Sequence, residues 1–425
     1  METNKAYNRE KADKLTDRVS FIILLAIVSA LTLTLFYRQT LGSAECYHSD
    51  MKAYILEMQG LDSGYSFPYP VLFRLGALLD VFFEPELSMA LATMLLNSLA
   101  IIITKVFFNK FAFDSFRRML APYSWMAGIA ISLISVSLFF ISMLFPVGDI
   151  FYLPGINYHY LGVFTSNPFH NATYMAARPF ALLAFFWFVR LLDSYEDGAS
   201  LSEYILFSAA LLVATMTKPS FTVVLVGTAG IIMLYRLIRT GFKNLIPTIQ
   251  LGLCFVPTFI DLLYQFRGVF VPEEGAEGGI GFCLGEVWGY YCDNIPLAIC
   301  LAIGFPIVVF LFNHKEIRRN SLYRFSWQIY WMGFAMAFFI YEKGFRMPDF
   351  NFSWGYMYGI FFSFVGALLV LMKKTAECFA DTEMKSNQDK RYCRLLAAVQ
   401  WLAYFAHLFC GLYYFSGIFR GGMYY

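Results

Sequence analysis

The sequence of 425 residues is poor in charge and in histidine. Asp, Glu, Lys and Arg make up only 15% of it, and a net charge of +2 provides no basic surface of the kind that nucleic acids require. Its eight cysteines show no CxxC or Cys/His spacing, which argues against a structural zinc site or a thioredoxin-like motif. The sequence also lacks a P-loop, a dinucleotide-binding glycine motif, a kinase motif and HExxH, so neither a nucleotide site nor a metalloprotease centre is predicted.

Hydrophobic residues are in excess: they make up 59% of the chain, and the mean hydropathy is +0.57. A helix needs roughly 20 residues to cross the hydrocarbon core, and most of eleven apolar runs are that long, although the fifth is short. We therefore predict an all-α polytopic membrane protein with about eleven transmembrane helices in a single domain, 1–425. The runs are 19–36, 87–104, 123–146, 174–192, 204–217, 219–235, 245–266, 295–312, 326–341, 354–372 and 395–418.

The distribution of Lys and Arg predicts the orientation. With the N-terminus in the cytoplasm, most of the 32 basic residues fall in inner segments, as the positive-inside rule requires. The first run is not followed by a small-residue cleavage site, so we expect it to be a retained span. Within the first outer loop, the segment PYPVLFRLGALLDVFF predicts an amphipathic helix at the membrane surface. The predicted outer loops are 37–86, 147–173, 267–294 and 342–353.

The first outer loop carries acidic and aromatic residues shortly after the first span, in the segment ECYHSDMKAY. Asp50 is a candidate general base toward a sugar hydroxyl, and Glu45, His48 and Tyr54 are candidate substrate contacts. The alternative for each residue alone is that it merely solvates a loop, since aromatics also gather at every membrane interface. In the third outer loop, Cys283 and Cys292 are close enough in sequence to form a disulfide or to remain free.

The segment NYHYLGVFTSNPFHNATYMAARPF runs from the second outer loop into the fourth span. Its polar residues His159, His170 and Asn171 are candidate substrate contacts. Arg178 would lie about one turn inside the membrane, where a cation is costly unless it faces the protein interior or a partner. It is therefore a candidate ligand for a lipid phosphate, with snorkelling to the interface as the alternative.

Further basic residues stand at outer span ends. Lys218 occupies a tight turn between the fifth and sixth spans, and Lys343 and Arg346 open the loop EKGFRMPDFNFSWGY. Arg binds phosphate in a bidentate manner and Lys as a point charge, so all three are candidate lipid-phosphate ligands. Anchoring at the lipid interface is the alternative for each. Trp354, in the same loop, is a candidate sugar contact.

The layout resembles the GT-C class of integral membrane glycosyltransferases: a first span, a long outer loop with an early acidic residue, an outer amphipathic helix and about ten further spans. The fragments NPFHNATYMAARPF and EKGFRMPDFNFSWGY also resemble segments of bacterial membrane proteins from surface-polysaccharide gene clusters. The resemblance implies that Asp50 is the catalytic base. It also implies a polyprenyl-phosphate-linked sugar donor, a glycan or glycolipid acceptor, and a bacterial plasma membrane with the site facing the outside or periplasm.

The sequence departs from the class in having no Asp-x-Asp motif, so no metal ligands are assigned and a divalent cation remains open as a cofactor. Two other functions also remain open. A polysaccharide polymerase or ligase acts on the same kind of lipid-linked sugar, and it differs in the number of sugars that it adds per event. A flippase or transporter for lipid-linked sugars would need similar intramembrane cations, usually together with inverted repeats or broken helices.

Overall fold

The computed structural model describes residues 2–144, 164–269, 279–344, 346–379 and 387–422, and this part of the chain is almost entirely helical. The all-α prediction is confirmed. The helices are α1 (Glu2–Thr40), α2 (Met51–Met58), α3 (Val71–Asp80), α4 (Pro85–Met119), α5 (Met126–Ser137), α6 (Ala172–Ser194), α7 (Leu201–Thr217), α8 (Ser220–Arg239), α9 (Leu245–Leu253), α10 (Val256–Val269), α11 (Glu286–Gly289), α12 (Ile295–Ala302), α13 (Gly304–Asn313), α14 (Glu316–Arg319), α15 (Ser321–Phe339), α16 (Ser353–Phe379) and α17 (Asn387–Phe419), with 3-10 turns at Leu138–Phe140 and Met347–Asp349.

Six of the described helices are long and apolar enough to cross a membrane, and the number rises to eight if each of two bent helix pairs is one span. The chain is therefore a polytopic integral membrane protein, but the described helices do not support the predicted count of eleven. The predicted third and fifth spans correspond to the shorter apolar helices Met126–Phe140 and Leu201–Thr217. The predicted ninth span coincides with α15, which does not pass the same test of length and apolarity.

Helix α16 is the centre of the fold, because the apolar window of its span is completely buried. It packs along α15 with backbones in close approach. A Cβ atom added at Gly359 would lie 2.9 Å from the Cα atom of Tyr330, and one at Gly333 would lie 2.9 Å from the carbonyl oxygen of Gly355. In a membrane the hydrophobic effect does not drive helices together, because the lipid tails are as apolar as the side chains. Small residues at such crossings let the helices approach closely and gain van der Waals contacts instead. This packing fixes the N-terminal end of α16, which carries Trp354.

The two bent pairs are α9 with α10, at 46°, and α12 with α13, at 72°. A bend inside a membrane frees backbone groups that must find new partners. At the second bend, the backbone N–H of Phe305 donates to Nε2 of His407 over 3.0 Å. The other ring nitrogen, Nδ1, lies 2.7 Å from the carbonyl oxygen of Ser142. This arrangement requires a neutral ring protonated at Nδ1, and it gives the buried His407 a structural role.

The loops contain features that the periodicity of the sequence did not predict. Strand β1 (Ile280–Phe282) pairs antiparallel with β2 (Ile340–Glu342), with Gly281 opposite Tyr341. This short sheet joins the third predicted outer loop to the end of the ninth predicted span, and it holds the segment that leads to Arg346. The predicted amphipathic helix is present as α3, with Leu72 and Phe73 buried and Phe82 exposed beyond its end.

The structure resolves the alternative that the sequence left open for Cys283 and Cys292, a disulfide or two free thiols. Cys283 and Cys292 are both free, whereas Cys378 of α16 and Cys393 of α17 form a disulfide with a Cα separation of 5.6 Å. The positive-inside pattern assigns that second pair to the cytoplasmic end of the bundle. Disulfides are rare in the cytoplasm, so the pair provides a direct test of the predicted orientation.

Candidate functional site

A polar cavity of about 350 Å³ lies where α2, the start of α6, the α7–α8 junction and the start of α16 meet. It brings together seven candidate residues that the sequence scatters over three of the predicted outer loops and the α7–α8 turn. These residues are Asp50, Tyr54, His170, Asn171, Lys218, Arg346 and Trp354. Their roles stay predictions, but their proximity is a property of the fold.

Asp50 immediately precedes α2, and its carboxylate is held from two sides. The hydroxyl of Tyr54 donates to Oδ2 over 3.1 Å, and Nδ2 of Asn171 donates to the same oxygen over 2.8 Å. Within the part of the chain that the structure describes, Oδ1 receives no hydrogen bond. Asp50 therefore has one anchored oxygen and one that remains available to another group, as a general base requires.

Burial raises the pKa of the Asp50 carboxyl above its usual range. The charge of Lys218 and the hydrogen bonds from Tyr54 and Asn171 oppose this shift, as does the nearby His48. Desolvation disfavours the charged form of a carboxyl and makes the carboxylate a stronger base. Asp50 is thus more basic than an exposed aspartate.

Lys218 is buried at the junction of α7 and α8, in the sequence Thr217-Lys218-Pro219. A residue before proline is restricted to extended backbone, and Lys218 has φ −167° and ψ 123°. Its Nζ donates to Oδ1 of Asn171 over 3.1 Å and to Oγ1 of Thr173 over 3.0 Å, and it lies 4.5 Å from the centre of the Trp354 ring. The helix break therefore aims a cation into the cavity.

No carboxylate lies within 4.0 Å of the Lys218 ammonium among the described residues, so its direct partners are neutral. Burial lowers the pKa of Lys218 to about 8, with the charge of Asp50 opposing the shift and that of Arg346 adding to it. Burial also lowers the pKa of His170 to about 3, and the charges of Lys218 and His48 add smaller shifts in the same direction, so that ring stays neutral. Asn171 connects base and cation, since its amide nitrogen reaches Asp50 and its amide oxygen accepts from Lys218.

Arg346 differs from Lys218 because carboxylates already surround it. Its Nη1 lies 3.4 Å from Oε1 of Glu342, and its Nε lies 3.3 Å from Oδ2 of Asp349. Glu342 ends strand β2 and accepts a hydrogen bond of 2.6 Å from Nδ2 of Asn351. The strand pair and these bonds fix the guanidinium in the wall of the cavity.

A second cavity of about 360 Å³ adjoins the first. The two cavities share five lining residues, namely Tyr69, Lys218, Arg346, Asn351 and Trp354. Most of the remaining lining of the second cavity is apolar and comes from α8, α10, β1 and α15. It includes Val223, Val224, Leu262, Phe266, Ile280 and Met336. The apolar cavity and the polar cavity thus meet at two cations, Lys218 and Arg346.

Aromatic rings from the segment between α2 and α3 form one wall of the polar cavity. Phe67 contacts Tyr54 at a centroid distance of 5.2 Å and Tyr69 at 6.0 Å. Tyr65 and Tyr291 also line the cavity. Sequence reasoning did not select Phe67, Tyr69 or Tyr291, and their only signal was the aromatic richness of the outer loops.

Arg178 does not line either cavity. It is completely buried in α6, where Nη1 donates to Oδ1 of Asn167 and Nη2 donates to Oδ1 of Asn97 over 3.0 Å. The ring of Phe139 lies 4.8 Å from its guanidinium carbon. The Arg178 side chain therefore neither snorkels to the interface nor reaches the cavity. Its hydrogen bonds connect α6 to α4 and to the 164–171 segment.

The other candidates are also outside the cavity. Glu45 and Lys343 are exposed, and His48 does not line the cavity, although its charge opposes the rise in the pKa of Asp50. His159 lies outside the described residues. Among the residues that the structure describes, no group of three or more His, Cys, Asp or Glu side chains is placed to hold a metal ion.

Neither the protein-family models nor the curated proteins contain a match to this chain.

Proposed function

We propose that this protein is a membrane glycosyltransferase, which moves a sugar from a polyprenyl-phosphate-linked donor to a glycan or lipid acceptor on the non-cytoplasmic face. The observation that carries the proposal is the placement of Lys218 and Arg346 between an apolar cavity and a polar one that contains Asp50. A donor of this class has the same order of parts: an apolar chain, a phosphate and a sugar. The apolar cavity would hold the first part of the chain, the cations the phosphate and the polar cavity the sugar.

In the proposed reaction, Asp50 accepts the proton of an acceptor hydroxyl as that oxygen attacks the anomeric carbon. The new bond joins the acceptor oxygen to the sugar, and the bond between the anomeric carbon and the phosphate oxygen breaks. The lipid phosphate leaves with the bonding electron pair, and the charges of Lys218 and Arg346 stabilise it. The aromatic wall that includes Phe67 and Tyr69 would contact the apolar faces of the sugar ring.

The proposed topology follows the charge pattern of the sequence. The N-terminus is cytoplasmic, the eleven apolar runs are membrane spans, and the cavity faces the outside or periplasm of a bacterial plasma membrane. A bent pair counts as one span in this scheme. Partners are the lipid-linked donor, the acceptor glycan or glycolipid and the surrounding lipid.

A second candidate is a flippase or transporter of lipid-linked sugars. The two bent helix pairs favour it, because broken helices in transporters often flank substrate sites. Such a protein would move its substrate without cleaving it, so product analysis distinguishes the two functions.

The test is transfer by the purified protein in liposomes that contain a glycolipid acceptor and a polyprenyl-phosphate sugar labelled in its lipid phosphate, with release of the free lipid phosphate as the readout. Asp50→Asn should abolish release and leave donor binding intact. The matched control is Asp62→Asn, an exposed residue of the same loop outside both cavities. If Asp50→Asn retains full activity, Asp50 is not the base. If the donor crosses the bilayer uncleaved, the transporter is the correct function.

A further inference from the structure

A third cavity, of about 620 Å³, lies at the opposite end of the helices from the candidate site. The C-terminal parts of α4, α6 and α16, the end of α14 and the N-terminal ends of α7 and α15 form it. The candidate site involves the other ends of α6, α7 and α16, so the two places are separated by the length of a span. The inference that follows is therefore independent of the proposed function.

Cations outnumber acids around this cavity. Four basic and two acidic side chains line it, and this surplus favours an anionic ligand. The charged lining residues are Lys110, Arg190, Arg319 and Lys373, with Asp193 and Glu203.

Only part of this positive charge is neutralised by ion pairs. Arg190 pairs with Glu203, which also closes the capping box at the start of α7. Lys373 pairs with carboxylates outside the cavity at 3.7 and 3.9 Å. Lys110 and Arg319 have no ion pair within 4.0 Å anywhere in the described chain, and both are exposed. These two cations are therefore available to a ligand.

The remaining wall is aromatic. The rings of Phe107 and Phe186 stack at a centroid distance of 3.6 Å, and Phe111 stacks on Phe186 at 6.3 Å. Phe111 is 52% exposed, and Trp187 also lines the cavity. A small soluble anion has no apolar groups to pack against these aromatic rings, whereas a phospholipid carries acyl chains next to its phosphate.

We infer that this cavity binds the phosphate head group of an anionic phospholipid from the membrane leaflet at that end. Lys110 and Arg319 contact the phosphate, with Arg319 able to bind two of its oxygens, and the upper acyl chain lies against Phe107 and Phe111. Basic cavities between transmembrane helices are known sites for such head groups.

Trp187 provides the readout, because a brominated acyl chain in the cavity quenches its fluorescence. The wild-type chain and Trp187→Phe are placed in phosphatidylcholine nanodiscs with a fixed fraction of brominated lipid, and their difference isolates Trp187. Brominated phosphatidylglycerol should quench Trp187 more strongly than brominated phosphatidylcholine at the same fraction. Equal quenching by the two lipids would overturn the inference.

The double variant Lys110→Gln/Arg319→Gln should weaken phosphatidylglycerol binding about 30-fold, at about fivefold per cation. The charge-matched control is Arg239→Gln/Lys243→Gln, two exposed residues at the end of α8 and beyond it, outside the cavity. It should keep the preference, as should the charge-preserving Lys110→Arg/Arg319→Lys, which also controls for folding. A preference that survives Lys110→Gln/Arg319→Gln would refute the inference. Loss of the preference on adding inorganic phosphate at constant ionic strength would also refute it, by assigning the site to a soluble phosphate.

Discussion

Replacing Lys218 by Arg should remove the alkaline limb of the pH profile of donor transfer. Burial lowers the pKa of Lys218 to about 8, so the ammonium that would hold the lipid phosphate loses its proton above that pH. Each pH unit beyond the pKa then reduces the active form, and with it kcat/KM, about tenfold. A guanidinium remains charged throughout the accessible range, so Lys218→Arg should stay active where the wild type declines.

The acid limb belongs to Asp50 and should respond differently. Burial raises the pKa of this carboxyl, so the basic form is lost at a higher pH than for an exposed aspartate. The charge of Lys218 opposes that shift. Because Lys218→Arg keeps a positive charge at this position, the acid limb should stay at the same pH. Lys218→Gln removes the charge and should move the acid limb to still higher pH. It should also lower kcat/KM at neutral pH by about 30- to 4,000-fold, from about 2–5 kcal/mol for a truncated buried charge.

The assay is the rate of lipid-phosphate release from labelled donor in liposomes with acceptor over a pH series, with thermal unfolding of each variant as a folding control. Lys52→Arg is the matched substitution, since Lys52 is exposed on α2 and lies outside both cavities. It should reproduce the wild-type profile. The reasoning is refuted if Lys218→Arg folds normally, transfers sugar and still shows the wild-type alkaline limb.

Three other predictions concern single contacts. Asn171→Ala should lower kcat by about 5- to 150-fold, because a hydrogen bond to a buried charge is worth about 1–3 kcal/mol, and kinetics in the same liposomes measure it. Lys105 of α4 forms a largely buried ion pair with Asp17 of α1. Lys105→Met should lower the free energy of unfolding in detergent by about 3–5 kcal/mol, because it leaves the Asp17 carboxylate without its ion-pair partner, and adding Asp17→Leu should restore most of the loss. Cys378 and Cys393 should react with a membrane-permeant maleimide in intact cells without reductant if their end is cytoplasmic, whereas labelling only after reduction would reverse the predicted orientation.

Local signals in the sequence were sufficient to find parts of the candidate site. Asn171 is the N-cap of α6, and its side chain accepts from the backbone N–H of Tyr174, so the residue type that begins a helix also fixes the position of the amide. Lys218 precedes Pro219, and that dipeptide ends a helix by its own stereochemistry. Both positions could be selected because their structure depends on neighbours in sequence.

Other parts of the site depend on distant segments and were beyond sequence reasoning. Arg178 donates to the amide oxygens of Asn97 and Asn167, and Asn97 is 81 positions away along the chain. A buried cation can be satisfied by neutral amides as well as by a substrate phosphate, and the sequence around it is the same in both cases. The strands at Ile280–Phe282 and Ile340–Glu342 were missed because three residues are too few to establish a period of two.

The two cations of the candidate site are not equivalent, and their surroundings explain the difference. Glu342 and Asp349 lie within ion-pair distance of Arg346 and offset part of its charge, so an arriving phosphate meets a guanidinium whose position is set in advance. Lys218 has only neutral direct partners, and Asn171 separates it from Asp50. A leaving phosphate would therefore gain most of its stabilisation from Lys218 and its orientation from Arg346. That division fits a transition state in which negative charge develops on one oxygen, beside the cation that is least neutralised before the reaction.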